Sequence, residues 1–173
     1  FLEKSGLVKG EKRIALEKPF GTDLKSAVEL NKELSKLFRE EEIYRVDHYL
    51  GKELVENILI LRFSNPLFEH VWKKENIEKV EIVMAETEGI ENRADYYESA
   101  GALRDVVQNH LLQVLSLVAM DPPFKFEAEQ IREQKVKVMK ALVPDGIILG
   151  QYEKSVVDGK ERKGYLDEKG VKP

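Results

Sequence analysis

The stretch Arg45-Val-Asp-His-Tyr-Leu-Gly-Lys-Glu53 crowds a carboxylate, an imidazole, a phenol, a glycine and an ammonium group together. Gly51-Lys52 opens a helix, and helix N-termini attract phosphate through unpaired N–H groups and the positive end of the dipole. His48, Tyr49 and Lys52 therefore read as a pocket for a phosphate ester. The plainer alternative is a solvated first-turn lysine beside a surface histidine, and both stay open at this level. A second polar group interrupts an apolar run: Arg104, Asp105, Gln108, Asn109, His110 and Gln113 lie among Leu103, Val106, Val107, Leu111, Leu112, Val114, Leu115, Leu117 and Val118. A buried histidine near a carboxylate is a tunable proton acceptor, although a core histidine satisfied by its neighbours has the same appearance. Glu86, at the end of a strand-like pattern, could face the same cleft or be solvated. The segment Arg93-Ala-Asp-Tyr-Tyr-Glu98 could line a sugar site or simply lead into a helix. His70, between Phe68 and Trp72, reads as structural.

The elements that must hold these side chains follow from periodicity. Arg13 to Glu17 is a short apolar run stopped by Lys18-Pro19-Phe20-Gly21, which predicts a buried strand. Leu24, Ala27, Val28, Leu30, Leu34, Leu37 and Phe38 recur at helical spacing behind Thr22 or Asp23 as cap. Ile43 to Val46 predicts a second strand. Strand, helix, strand makes a βαβ unit with parallel neighbours. Ligands bind outside the carboxyl ends of such strands, so Lys18 and the Asp47-His48 pair share one edge.

Beyond this unit the spacing predicts helices over 52–63, 95–120 and about 127–142, with one further turn at 68–72. The middle of the longest should be buried nearly all round. Ile77 to Thr87 predicts a strand with Val80, Ile82 and Met84 on one face. Ile147–Tyr152 and Glu161–Leu166 flank Asp158-Gly159 as an antiparallel hairpin or meander. The fold class is α+β: the last βαβ unit of a Rossmann-like domain at 1–47, then an incomplete α+β domain at 48–173 with long helices and an antiparallel sheet.

Composition bounds the function. A net charge of -4 and the absence of a basic, aromatic-laced face argue against a nucleic-acid partner. The longest mostly apolar run, Leu111 to Met120, is too short to span a bilayer, so no membrane partner is expected. With zero cysteines there are no disulfides or thiolate metal sites, which fits a cytoplasmic home. No metal-ligand spacing, P-loop or G-x-G-x-x-G occurs, so a dinucleotide's pyrophosphate would need a site upstream of Phe1. The opening at Phe1-Leu-Glu-Lys and the turn-like Gly170-Val-Lys-Pro173 suggest an internal piece of a longer polypeptide.

Four segments in order carry a resemblance: Glu17-Lys-Pro-Phe-Gly21, Tyr44-Arg-Val-Asp-His-Tyr-Leu-Gly-Lys-Glu53, Leu61-Arg-Phe-Ser-Asn65 and Gly101-Ala-Leu-Arg-Asp-Val-Val-Gln-Asn-His-Leu-Leu-Gln113. Together they resemble the consecutive motifs of glucose-6-phosphate dehydrogenases, across nearly the whole chain. The resemblance implies an oxidoreductase of the oxidative pentose phosphate pathway. It would oxidise glucose 6-phosphate to 6-phosphogluconolactone, with NADP, or sometimes NAD, accepting hydride.

By the same resemblance, His110 matches the general base and Asp47 the carboxylate that orients it and stabilises its charged form. His48, Tyr49 and Lys52 match the substrate-phosphate pocket. Lys18 matches the lysine between sugar and nicotinamide, contacting both, and Glu86 and Asp105 match groups that bind the sugar. A homo-oligomer, dimeric or larger, is implied for the intact enzyme, and the piece alone is expected to turn over little or nothing. The alternative is a degenerate, non-catalytic association module, against which the intact Asp47, His48, Lys52 and His110 argue.

Overall fold

The computed structural model describes residues 10–172, and the chain divides into two compact units, one ending at Gly51 and the other starting at Lys52. The first unit pairs strand β1 (Ile14–Leu16) in parallel with β2 (Ile43–Arg45), Ile14 facing Ile43 and Leu16 facing Arg45. Helix α1 (Leu24–Ser35) lies between them in sequence. Its start is fixed by a reciprocal cap: Ser26 N–H donates to Asp23 Oδ1 at 2.7 Å, and Asp23 N–H donates to Ser26 Oγ at 3.0 Å. Gly21 makes the tight approach to this cap possible. Its φ is 78°, and a Cβ there would lie 2.6 Å from the Ala27 nitrogen. Leu34, Phe38 and Ile43 form the core, with Ile14, Leu16, Phe20 and Leu37 packed on it. The apolar stripe of α1 is longer than its buried part: Leu24 and Val28 are 81% and 57% exposed, because no described element covers its first turns.

The second unit is mainly helical. Helix α2 (Glu53–Phe63) ends at Ser64 and is followed by the short α3 (Pro66–Glu69). Asn65 caps α3 through a 3.1 Å bond from Leu67 N–H, and Pro66 takes the first helical position, where a missing N–H costs nothing. The single helix anticipated over 95–120 is instead three pieces: α4 (Ala94–Ala102), a π-helical stretch over Leu103–Leu111, and α5 (Leu112–Ala119). The break falls at Gly101, whose φ of 59° and ψ of 177° are not helical. Nor is this run buried all round. Asp105, His110, Ser116, Leu117 and Met120 are buried, while Leu103 is 53% exposed. Helix α6 (Ala128–Ala141) packs on α5, tied by the Lys135 ammonium donating to Gln113 Oε1.

Strand β3 (Ser155–Val157) pairs antiparallel with β4 (Lys160–Arg162) around Asp158-Gly159, both with positive φ as a two-residue hairpin turn requires. The hairpin is therefore shorter and closer to the turn than the pattern suggested. Ile147 to Tyr152 stays outside it, with Ile148 99% exposed. Residues 77–87 likewise join no ladder among the described residues. The expected face is kept only in part, with Ile82 and Met84 half-buried but Val80 45% and Val83 83% exposed, and a strand needs a neighbour for its N–H and C=O groups. A small core of Ile90, Ala94 and Tyr165, joined by Tyr97 and Val171, ties the start of α4 to the chain that follows the hairpin. A fork from Arg162 Nη1 and Nη2 to Glu88, both bonds 2.7 Å, reinforces that tie.

Candidate functional site

In the first unit, parallel pairing sends β1 and β2 out at the same edge, and Val46 N–H extends the ladder by donating to Leu16 O at 2.8 Å. Lys18 follows β1 at that edge, in a cis peptide with Pro19, and its side chain is exposed. Asp47 and His48 follow β2. The sequence-level placement of Lys18 and Asp47-His48 on one carboxyl edge is thus realised.

Asp47 also shapes the backbone. Its Oδ1 accepts from Tyr49 N–H at 3.0 Å and its carbonyl from Leu50 N–H at 3.0 Å, folding His48–Gly51 into a 3-10 turn. This turn puts the His48 and Tyr49 rings side by side, centroids 5.0 Å apart, with His48 exposed and Tyr49 half-buried. A charged cleft of about 580 Å³ lies at the opposite, N-terminal edge of the strands, lined by Lys12, Arg13, Arg39, Glu41, Glu42 and Tyr44 among others. That edge is the wrong one for a ligand of a parallel sheet. Its charges answer one another: Arg39 Nη2 meets Glu42 at 3.3 Å, and bonds from Arg39 hold the Glu42 carboxyl below the usual carboxylate range.

In the second unit, Lys52 is the exposed N-cap residue of α2, its carbonyl accepting from Val55 and Glu56 N–H at 2.8 and 3.0 Å. Lys52 thus stands where anions are favoured. The π-helical stretch carries both Asp105 and His110, exposed by only 4% and 3%. In a helix with hydrogen bonds five residues apart, these two positions fall one turn from each other on the same face.

A cavity of about 430 Å³ opens beside this stretch and has Glu86 and Asp105 among its lining, with Arg93, Tyr97, Tyr152 and Arg162. Arg93 Nη1 lies 3.4 Å from Asp105 Oδ2. Burial, then the nearby Asp105 charge, raises the Tyr97 phenol above its ordinary pKa. Burial likewise raises Tyr152, whose oxygen accepts from Ile90 N–H at 3.0 Å. Carboxylates, cations and neutral phenols around one cavity form a donor and acceptor set suited to a polyhydroxylated ligand. His110 is not part of this lining and is buried. His70 is exposed, and its contribution is a backbone carbonyl that accepts from Asn76 Nδ2 at 3.1 Å.

Tyr152 and Arg162 escaped the sequence reading because they reach the cavity from the hairpin region, far along the chain. Arg93 and Tyr97 lay in a segment already singled out for its polar-aromatic character. Arg62 belongs to the Leu61–Asn65 segment, whose spacing alone assigns it no partner. It is 6% exposed and reaches the end of α5, donating to Leu117 O at 2.6 Å and Met120 O at 2.8 Å.

Two family models match the chain: "Glucose-6-phosphate dehydrogenase, NAD binding domain" over residues 1–57 and "Glucose-6-phosphate dehydrogenase, C-terminal domain" over residues 59–173. A glucose-6-phosphate 1-dehydrogenase of Hanseniaspora uvarum is 53% identical over 162 residues, covering 92% of this chain and 32% of the relative. That of Bacillus subtilis (strain 168) is 47% identical over 171 residues, covering 95% and 35%. A solved glucose-6-phosphate dehydrogenase in complex with its substrate glucose-6-phosphate superposes with a TM-score of 0.82 at 50% identity, over 92% of this chain and 33% of that one. A glucose-6-phosphate 1-dehydrogenase from Mycobacterium avium gives 0.72 at 48% identity, over 81% and 31%. The chain spans about a third of the length of the relatives it matches.

Proposed function

The chain belongs to the glucose-6-phosphate dehydrogenase family, and on that premise we propose that the full-length protein oxidises glucose 6-phosphate to 6-phosphogluconolactone. The observation that carries this reading is the π-helical stretch that buries Asp105 and His110 one turn apart, with Asp105 lining a cavity that Glu86 also lines. His110 is the base: an imidazole nitrogen takes the proton of the anomeric hydroxyl as the C1–H bond breaks. Asp47 is the carboxylate that holds the imidazole in the required tautomer and stabilises its protonated form. Glu86 and Asp105 accept hydrogen bonds from sugar hydroxyls. His48, Tyr49 and Lys52 hold the phosphate, which fixes the sugar at a distance from the reacting carbon.

A nicotinamide coenzyme, NADP or NAD, supplies the hydride acceptor. The residue of this chain that fits it is Lys18, a cation at the carboxyl edge of a parallel βαβ unit. A homo-oligomer of dimeric or larger size and a cytoplasmic site of action complete the reading. Among the described residues no helix is long and apolar enough to cross a membrane.

The test is His110→Asn in the full-length protein. Turnover should vanish while substrate affinity stays within several-fold, because the loss falls on the transition state. A parallel collapse of affinity would make His110 a binding residue and overturn its role as base.

A further inference from the structure

We propose that Arg62 is a positioning residue that sets the axial position of the helix bearing His110 against the helix that begins at Lys52. It thereby matches the base to the phosphate-holding end of the site. This inference rests on the roles given above to Lys52, Asp105 and His110.

The C-terminus of α5 leaves carbonyls that no further helical turn can satisfy, since Asp121-Pro122-Pro123 follows and proline has no N–H. Side chains of the α2–α3 region meet them. Arg62, in the last turn of α2, donates from Nη1 to Leu117 O at 2.6 Å and from Nη2 to Met120 O at 2.8 Å. Trp72 Nε1 donates to Val118 O at 2.9 Å. The guanidinium lies between the Phe63 ring, 4.6 Å from its centroid, and the Trp72 ring, 5.3 Å away. Both of its acceptors belong to buried residues: Met120 is 0% and Leu117 4% exposed. Burial lowers the pKa of Arg62, but a guanidinium still keeps its charge, and a cation at a helix C-terminus is the stabilising arrangement.

The chemistry follows from what each helix carries. α2 has Lys52 at its start and Arg62 in its last turn, so it is a rigid spacer from the phosphate end to the clamp. From the clamp, α5 and the π-helical stretch lead back to His110 and Asp105. An apolar side chain could fill the space of Arg62, but the planar fork meets the carbonyls of Leu117 and Met120 from two nitrogens at a fixed spacing. Lysine gathers its three donors on one nitrogen at the end of a flexible stem, so it holds the pair without a fixed spacing and lets the helix slide. A slide of the helix carries Asp105 and His110 together, so a sugar held by Asp105 still meets the base. A sugar tied by its phosphate to Lys52 does not.

Glucose, which has no phosphate, separates the two cases. In the full-length protein, kcat/KM is measured for glucose 6-phosphate and for glucose in Arg62→Lys and Trp72→Phe. Arg62→Lys should lose about ten- to a hundredfold with glucose 6-phosphate, chiefly in kcat, and only a few-fold with glucose. Trp72→Phe should move the ratio in the same direction by less. A mere loss of folded protein scales both substrates alike and leaves their ratio unchanged. An unchanged ratio in both variants overturns the proposal, and should Arg62→Lys fail to fold, Trp72→Phe decides. Failure of the underlying reading would show separately, as turnover by His110→Asn.

Discussion

The backbone N–H of His110 donates to the side-chain oxygen of Asn109 at 2.6 Å, while the Asn109 amide group donates to Asp105 O at 3.0 Å. One side chain thus pins both ends of the widened turn that sets Asp105 and His110 on a common face. Asn109→Ala removes both bonds and frees the stretch to relax toward ordinary α-helix, turning His110 away from Asp105. In the full-length protein kcat should fall roughly tenfold, equivalent to about 1.4 kcal/mol of activation free energy. Asn109→Asp keeps the acceptor and loses the donor, so its kcat should lie between. Steady-state rates equal to those of the parent protein in both variants would remove Asn109 from this role.

Gly101, near the end of α4, breaks the helix ahead of the π-helical stretch with a φ of 59° and a ψ of 177°, a region that side-chain-bearing residues almost never occupy. A Cβ built there meets nothing within 4 Å, so the cost of Gly101→Ala is conformational and not steric. That cost is about 1–3 kcal/mol. Proteins of this size lose about 2–4 °C of Tm per kcal/mol, so calorimetry should show a drop of several degrees. An unchanged Tm would mean that the break shifts to another residue.

Tyr165 donates its hydroxyl proton to Glu98, and this bond, with burial and the nearby Glu98 charge adding, pushes its pKa up from 10.0 to about 12. The folded state favours the neutral phenol. Its contribution is therefore complete below the ordinary tyrosine pKa near 10 and is lost as pH rises through about 12. In an alkaline titration followed by tyrosinate absorbance, Tyr165→Phe should delete the component near pH 12. Loss of a component titrating near the ordinary value instead would show that Tyr165 ionises freely.

Much of this architecture can be read from residue spacing. The apolar recurrence that predicted a helix over 52–63 is met by α2 at Glu53–Phe63, and that over about 127–142 by α6 at Ala128–Ala141. The βαβ unit follows from two apolar runs and an amphipathic stretch, and its parallel pairing brings Lys18 and Asp47 to one edge. The burial of His110 follows from the apolar company it keeps. The π-helical form does not follow, because apolar residues spaced for an α-helix also suit a slightly wider one. Gly101 was the one local sign of a break. Strand pairing at 77–87 depends on a neighbour that a local pattern cannot supply. Tyr152 and Arg162 at the cavity, and Arg62 at the end of α5, act across long sequence separations, to which periodicity is blind.

The clamp on α5 also bears on how the chain is made. Arg62 and its acceptor Met120 are 58 positions apart. A ribosome adding about 5–20 residues per second takes about 3–12 s to cross that interval. Until it does, α2 can form locally, but its guanidinium must stay hydrated and its apolar flank open to solvent. The helix that carries His110 cannot take its final place before that arginine has waited for it.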